Sequence, residues 1–203
     1  MYKRQGTYVA DAIGTVAPGD LRFVDTNGDG EITEDDRTVI GNPIPDVTMG
    51  LNIGFRYKSL DFSANAFASV GNDMVRDYER KVPTANIGTY ALERWQGTGT
   101  SNFVPRFDNG SINANIFSDF YVEDASFLRL QNVQIGFTFG EKTTSSIGID
   151  KLRIYVSGNN LFTITDYSGY DPSANSGAPL GGTIDKGFYP VASSYLLGVN
   201  LNF

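Results

Sequence analysis

Apolar side chains return at every second position along several stretches of this chain, the repeat of a β-strand with one apolar and one polar face. Val47, Met49, Leu51, Ile53, Phe55 and Tyr57 alternate with Thr48, Gly50, Asn52, Gly54 and Arg56. A run of about eleven residues is the length of a tilted strand crossing an outer membrane. Lys58-Ser59 then makes a very short turn. The next run sets Leu60, Phe62, Ala64, Ala66, Ala68 and Val70 against Asp61, Ser63, Asn65 and Ser69, with Phe67 the one large apolar residue on the polar side. Together these runs predict a hairpin.

A third strand falls within residues 120–139, where Val133, Ile135, Phe137 and Phe139 alternate with Asn132, Gln134, Gly136 and Thr138. Upstream, Phe127, Leu128 and Leu130 crowd both faces, which predicts a bulge or a length projecting beyond the bilayer. The fourth strand, 151–163, places Leu152, Ile154 and Val156 opposite Arg153, Tyr155 and Ser157. In the fifth, Tyr195, Leu197, Val199, Leu201 and Phe203 share an apolar face, and Leu196, Gly198, Asn200 and Asn202 form a mostly polar one.

Alternation alone suits a soluble antiparallel sandwich equally well. The connections separate the two readings, because they run short (58–59), long (71–119), short (140–150) and long (164–190). Outer-membrane barrels have short periplasmic turns and long outer loops. That assignment puts 71–119, 164–190 and the segment before Val47 outside, and Phe203 at the periplasmic rim. The expected fold class is therefore all-β: antiparallel strands of a transmembrane β-barrel with long extracellular loops. Five strands do not close such a barrel, and bacterial single-chain barrels carry an even number. A fragment is expected, with residues 1–46 as an extracellular loop segment and 47–203 as barrel strands.

Composition narrows the chemistry. The chain has no Cys and no His, which excludes disulfides, Cys/His zinc sites, a histidine base and a cysteine nucleophile. Acids outnumber bases 23 to 16 for a net charge of −7, and no basic stripe offsets them, so no nucleic-acid partner is expected. No apolar run approaches the roughly 20 residues of a spanning helix. Met1-Tyr2-Lys3-Arg4-Gln5 carries two bases but no apolar stretch follows, so it is not a secretory signal. The natural amino terminus is expected to lie upstream. Carboxylates are plentiful, yet no isolated pair on adjacent strands stands out as an acid/base couple, and no enzyme is expected.

One segment carries metal chemistry. Asp25-Thr26-Asn27-Gly28-Asp29-Gly30-Glu31-Ile32-Thr33-Glu34-Asp35-Asp36 matches the calcium-loop spacing. Asp25, Asn27 and Asp29 would offer side-chain oxygens, Glu31 its backbone carbonyl, Thr33 a direct or water-mediated contact, and Asp36 the closing carboxylate. Gly30 permits the sharp turn and Ile32 would anchor the loop. Asp replaces the usual Glu at the twelfth position, and no helical pattern leads in from residues 19–24. A weakly held structural Ca2+ is expected, not a paired sensor. The alternative is an Asp/Asn/Gly turn that is acidic because it is solvated.

Pro18-Gly19-Asp20, this loop, and Asp36-Arg37-Thr38-Val39-Ile40-Gly41-Asn42-Pro43 resemble the SusC/RagA family of TonB-dependent outer-membrane transporters near its carboxyl end. So do residues 67–73, Glu93-Arg94-Trp95, Val104-Pro105-Arg106, Val122-Glu123-Asp124-Ala125-Ser126-Phe127-Leu128-Arg129-Leu130, Val156-Ser157-Gly158-Asn159-Asn160-Leu161-Phe162-Thr163, Tyr167-Ser168-Gly169-Tyr170-Asp171-Pro172 and the terminal strand. The resemblance runs in order from about residue 18 to 203.

It implies a 22-stranded barrel occluded by an amino-terminal plug, paired with a SusD-like surface lipoprotein and importing glycans or peptides with force from TonB. The plug, the TonB-contacting segment and most of the strands would lie in the missing amino-terminal part. It also implies that Tyr195, Leu197, Val199, Leu201 and Phe203 form the signal read by barrel-assembly machinery; membership of an aromatic rim explains Phe203 equally well. Outer-membrane lipid would face the apolar rows. Trp95, Tyr90 and Phe103, and separately Tyr167, Tyr170 and Tyr189, are candidates either for stacking on substrate or for holding loops down. Two other readings remain: a secreted calcium-binding β-sandwich such as a carbohydrate-binding module, and, from the carboxylates alone, a fragment of a glycan-degrading enzyme.

Overall fold

The computed structural model describes residues 7–8, 16–78, 88–107, 116–144, 148–175 and 183–203. Parts of the predicted connections, 79–87, 108–115, 145–147 and 176–182, lie outside the described residues. Contacts divide the chain into two units, residues 1–41 with 75–122 and residues 42–74 with 123–203.

The second unit holds five long strands: β1 (Val47–Tyr57), β2 (Leu60–Val70), β3 (Phe127–Phe139), β4 (Lys151–Thr165) and β5 (Ser194–Asn202). They form one antiparallel sheet in the order β5-β4-β3-β2-β1, so each strand pairs with its neighbour in sequence. The first two strands have the predicted bounds. The third starts at Phe127, since 119–121 forms a 3-10 turn and 122–124 a separate short strand. The fourth runs on to Thr165, the fifth begins at Ser194, and the 140–150 connection contains a helical turn, Glu141–Thr144. Lys58 turns the first hairpin with a left-handed φ of 55°.

The crowding upstream of Asn132 resolves as a bulge. Asn65 pairs with Asn132 but Ala66 pairs with Leu130, leaving Gln131 without a partner in the ladder. On the other side Asn132 pairs with Asn159 and Leu130 with Phe162, so β4 absorbs Asn160 and Leu161, with Asn160 at a φ of 49°. The extra residue in β3 swaps the faces of that strand, while β4 keeps Phe162 and Ile164 on the same apolar face as Ile154 and Val156. Leu128 and Leu130 therefore join the apolar face, while Phe127 and Arg129 join the polar one, where Phe127 meets Phe67 at a ring separation of 5.9 Å.

Register aligns both faces into rungs. Phe55, Phe62, Ile135, Val156 and Leu197 form an apolar one; Asn52, Asn65, Asn132, Asn159 and Ser194 form a polar one. Among the described residues no layer covers the apolar rows: the six apolar residues of β1 are 49–61 % exposed. A soluble sandwich would inter these residues in its own interior. The described residues do not.

On the polar face, Arg153 of β4 reaches across β3 to Asp61 of β2, with N–O distances of 2.9 and 2.5 Å. It passes over Gly136, where a Cβ would strike the guanidinium. The Arg153 guanidinium also lies 4.9 Å from the Tyr155 ring centre, and that ring covers Gly198 on β5. Long side chains thus lie flat over glycines and tie four strands together.

The first unit is built differently. Gly19, at a φ of 92°, sits beneath the Trp95 indole. Trp95 donates its amide to the Val104 carbonyl at 3.0 Å, Arg106 donates its amide to the Gly19 carbonyl at 2.8 Å, and the Arg106 guanidinium binds Asp20 at 2.7 Å. Arg76 lies over the rings of Tyr90 and Phe120, at 4.7 and 5.6 Å. Thr7–Tyr8 pairs in parallel with Glu31–Ile32.

Gly136→Val is expected to displace Arg153 from Asp61 and to cost about 1–3 kcal/mol, as overpacking does elsewhere. Urea unfolding in detergent micelles measures it; a midpoint equal to that of the unsubstituted protein would show that Arg153 does not need that space.

Candidate functional site

All six predicted metal-loop residues fall on one exposed turn. Asp25 accepts from the amides of Gly28 and Gly30 at 2.6 and 2.8 Å, Asn27 Oδ1 from the amide of Asp29, and Asp29 Oδ1 from the amide of Glu31. Asp36 closes the loop by accepting from the amides of Thr26 and Thr33, at 2.7 and 2.8 Å. Those of Thr33 and Thr26 hold its carboxyl below the ordinary carboxylate value. Glu34–Asp36 is a 3-10 turn capped by Thr33, and Ile32 is buried as the expected anchor. The carboxylates thus face the loop's own N–H groups. Among the described residues no three acidic side chains converge as a metal-holding group.

A second polar cluster stands where the long connections leave the sheet. Arg129 projects from the polar face of β3 and donates to Asp171 at 2.6 Å, to Ser173 Oγ at 2.9 Å and to Thr163 Oγ1 at 2.8 Å. Asp171 also accepts from the amide and hydroxyl of Ser173 and from the amide of Val191 at 2.9 Å. Burial, the largest single influence, pushes the Asp171 carboxyl up, but the hydrogen bonds from Ser173, Val191 and Arg129 together outweigh it and hold the group at about 2. Nearby, Tyr167 packs with Met74 and Ala125 and donates its hydroxyl to the buried Asp185 at 2.8 Å.

Burial sorts the aromatic candidates. Trp95 is committed to Gly19 and Tyr167 to the Met74 cluster, so both hold structure. Tyr170 and Tyr189 are 71 % and 90 % exposed, and Phe103 is exposed at one edge while packing on Phe120 at the other. The terminal residues Tyr195, Leu197, Val199, Leu201 and Phe203 are all exposed, with β5 paired to β4. Spacing along the chain does not pair Asp61 with Arg153, Arg129 with Asp171 or Tyr167 with Asp185. A charge on an alternating strand's polar face was the available signal, and it names no partner.

No protein-family model matches the chain. It is 34% identical to TonB-dependent receptor P3 of Formosa agariphila over 220 aligned residues, covering 100% of this chain and 22% of that one. It is 32% identical over 189 residues to TonB-dependent receptor SusC of Bacteroides thetaiotaomicron, covering 92% of this chain and 18% of that protein. The chain spans about a fifth of the length of the curated relatives it matches. Among solved structures it is similar to the RagAB peptide importer in the closed-closed state, with a TM-score of 0.70, 27% identity and coverage of 92% of this chain and 21% of that one. The open-open state of the same importer gives a TM-score of 0.68 at 27% identity, over 86% of this chain and 19% of that one.

The Asp171 carboxyl lies below its ordinary 3.8, so its contribution is complete above that pH and is lost as the pH falls towards about 2. The expected contribution is on the order of 2 kcal/mol. Asp171→Asn should flatten the dependence of unfolding free energy on pH between 4 and 2; an acid limb as steep as before would assign that stability to other carboxylates.

Proposed function

Because the chain belongs to the TonB-dependent receptors of the SusC/RagA type, proteins of the Gram-negative outer membrane, we propose that it is the carboxyl-terminal barrel wall of an importer for oligosaccharides or peptides. The supporting observation is the sheet with one bare apolar face and one polar face carrying Arg153, Asp61 and the asparagine rung. Acyl chains satisfy the first face and an aqueous lumen the second. Lys58-Ser59 and the 140–150 turn lie on the periplasmic side, with the long connections outside.

Transport belongs to the whole receptor, with TonB acting on the part that precedes these residues and a SusD-like lipoprotein on the outer side. The terminal strand serves as the signal for barrel assembly, since its alternating apolar residues and aromatic end are exposed for recognition. The chain's part in this is structural and non-enzymatic.

The acidic loop is a candidate for weak structural Ca2+ binding, supported by its ligand spacing. Binding would require Asp25 and Asp36 to exchange loop amides for the cation.

Fractionation of cells carrying the full-length receptor tests the main reading. Recovery with the outer membrane and extraction only by detergent is expected, and recovery in the soluble fraction would overturn it. Calcium is tested separately by thermal unfolding with and without chelator. A lowered midpoint, abolished by Asp36→Asn, is expected; an unchanged midpoint means that the loop is held by its own amides.

A further inference from the structure

The two faces of the sheet are covered unequally at the end where the long connections leave. On the polar face Phe127 and Arg129 are buried, whereas at the same height on the apolar face Leu128, Phe162 and Ile164 are 43–61 % exposed. The β4–β5 connection covers Arg129. Its outgoing limb, 166–175, and its returning limb, 183–193, are tied together twice: Tyr167 donates to Asp185 at 2.8 Å, and the Val191 amide donates to Asp171 at 2.9 Å. Ser168 donates from its amide and its hydroxyl to Glu123. Arg129 then pins the tied limbs inward, because it stands in the polar rung with Phe67 and Thr163 and holds both Asp171 and Ser173.

A buried ion pair persists only where its remaining hydrogen-bonding capacity is filled. Here the Ser173 amide and hydroxyl and the Val191 amide fill it on Asp171, and Thr163 and Ser173 on Arg129. A loop that merely crossed open water would not need such a pair on the inner face of the wall.

We propose that the two described limbs of the β4–β5 connection, 166–175 and 183–193, form a fixed strap folded over the inner face, narrowing the outer mouth of the lumen and limiting the girth of what enters, with Arg129 as its positioning residue. The proposal rests on the reading of the polar face as the lumen wall. The strap binds nothing itself; it sets a bulk limit.

The test uses the full-length receptor in intact cells with a thiol introduced at Asn65, one rung nearer the short turns than Arg129 and, among the described residues, without a side-chain hydrogen bond. Membrane-impermeant maleimides of small and of bulky polymer-linked form are added from outside, and a receptor without the Asn65→Cys change gives the background. The small reagent should label every form at one rate. The bulky reagent should label slowly in the parent, about tenfold or more faster with Asp171→Asn or Arg129→Gln, and at an intermediate rate with Arg129→Lys, which keeps the charge and loses the planar fork. Heat-modifiable mobility on gels checks assembly of each variant, and Arg129→Lys carries the comparison if Asp171→Asn does not assemble. Equal bulky-reagent rates in all forms would overturn the strap. Failure of the small reagent to reach position 65 while a lipid-soluble maleimide labels it would overturn the lumen reading beneath it.

Discussion

The backbone hydrogen-bond ladder of the five-stranded sheet is the constraint from which the other features follow. Where one face meets hydrocarbon, no water is present to satisfy an unpaired N–H or C=O, so the strands must satisfy one another. Apolar side chains then need no internal core to bury against, and Leu51, Phe55, Val156 and Leu197 stand bare without being misplaced. The same ladder explains why the bulge at Gln131 is absorbed on both sides: if β4 took up one residue there in place of two, Phe162 would turn inward and Thr163 into lipid.

The polar face is held by a different device. Along it, long side chains lie over glycines. Arg153 above Gly136, and Tyr155 above Gly198, cross-brace four strands, and the asparagine rung adds bonds from Asn132 to Ser157 and Asn159 and from Asn159 to Ser194. Each brace needs a missing Cβ on the strand beneath it. Higher on the wall the braces give way to the buried Arg129–Asp171 pair, whose hydrogen bonds come from the connection itself.

Several of the segments that carry the family resemblance turn out to be packing devices. Pro18-Gly19-Asp20, Trp95 and Val104-Pro105-Arg106 come together through one indole on one glycine and one arginine on one aspartate. Ala125, Arg129, Tyr167 and Asp171 meet in the same way in the other unit. The acidic loop is likewise self-consistent, Asp25, Asp29 and Asp36 each facing amides of the same turn. Such loops hold their shape through short-range hydrogen bonds that sequence spacing alone makes available.

What the chain's order of residues determined by itself was everything governed by period and local spacing. The two hairpin strands, the side their residues face and the residues of the acidic turn were legible, and so was a crowding before Asn132 that fits either a bulge or a length beyond the bilayer, because a strand's alternation and a turn's hydrogen bonds involve neighbours in sequence. Only the tertiary structure decided which residues meet across distance. Asp61 with Arg153, Arg129 with Asp171, Gly19 with Trp95 and Tyr167 with Asp185 are pairs whose members look like ordinary polar, aromatic or glycine positions until register brings them together. The bulge shows the reason most plainly. One unpaired residue moves Arg129 from one face to the other, and no local pattern reports whether the partner strands will absorb that shift.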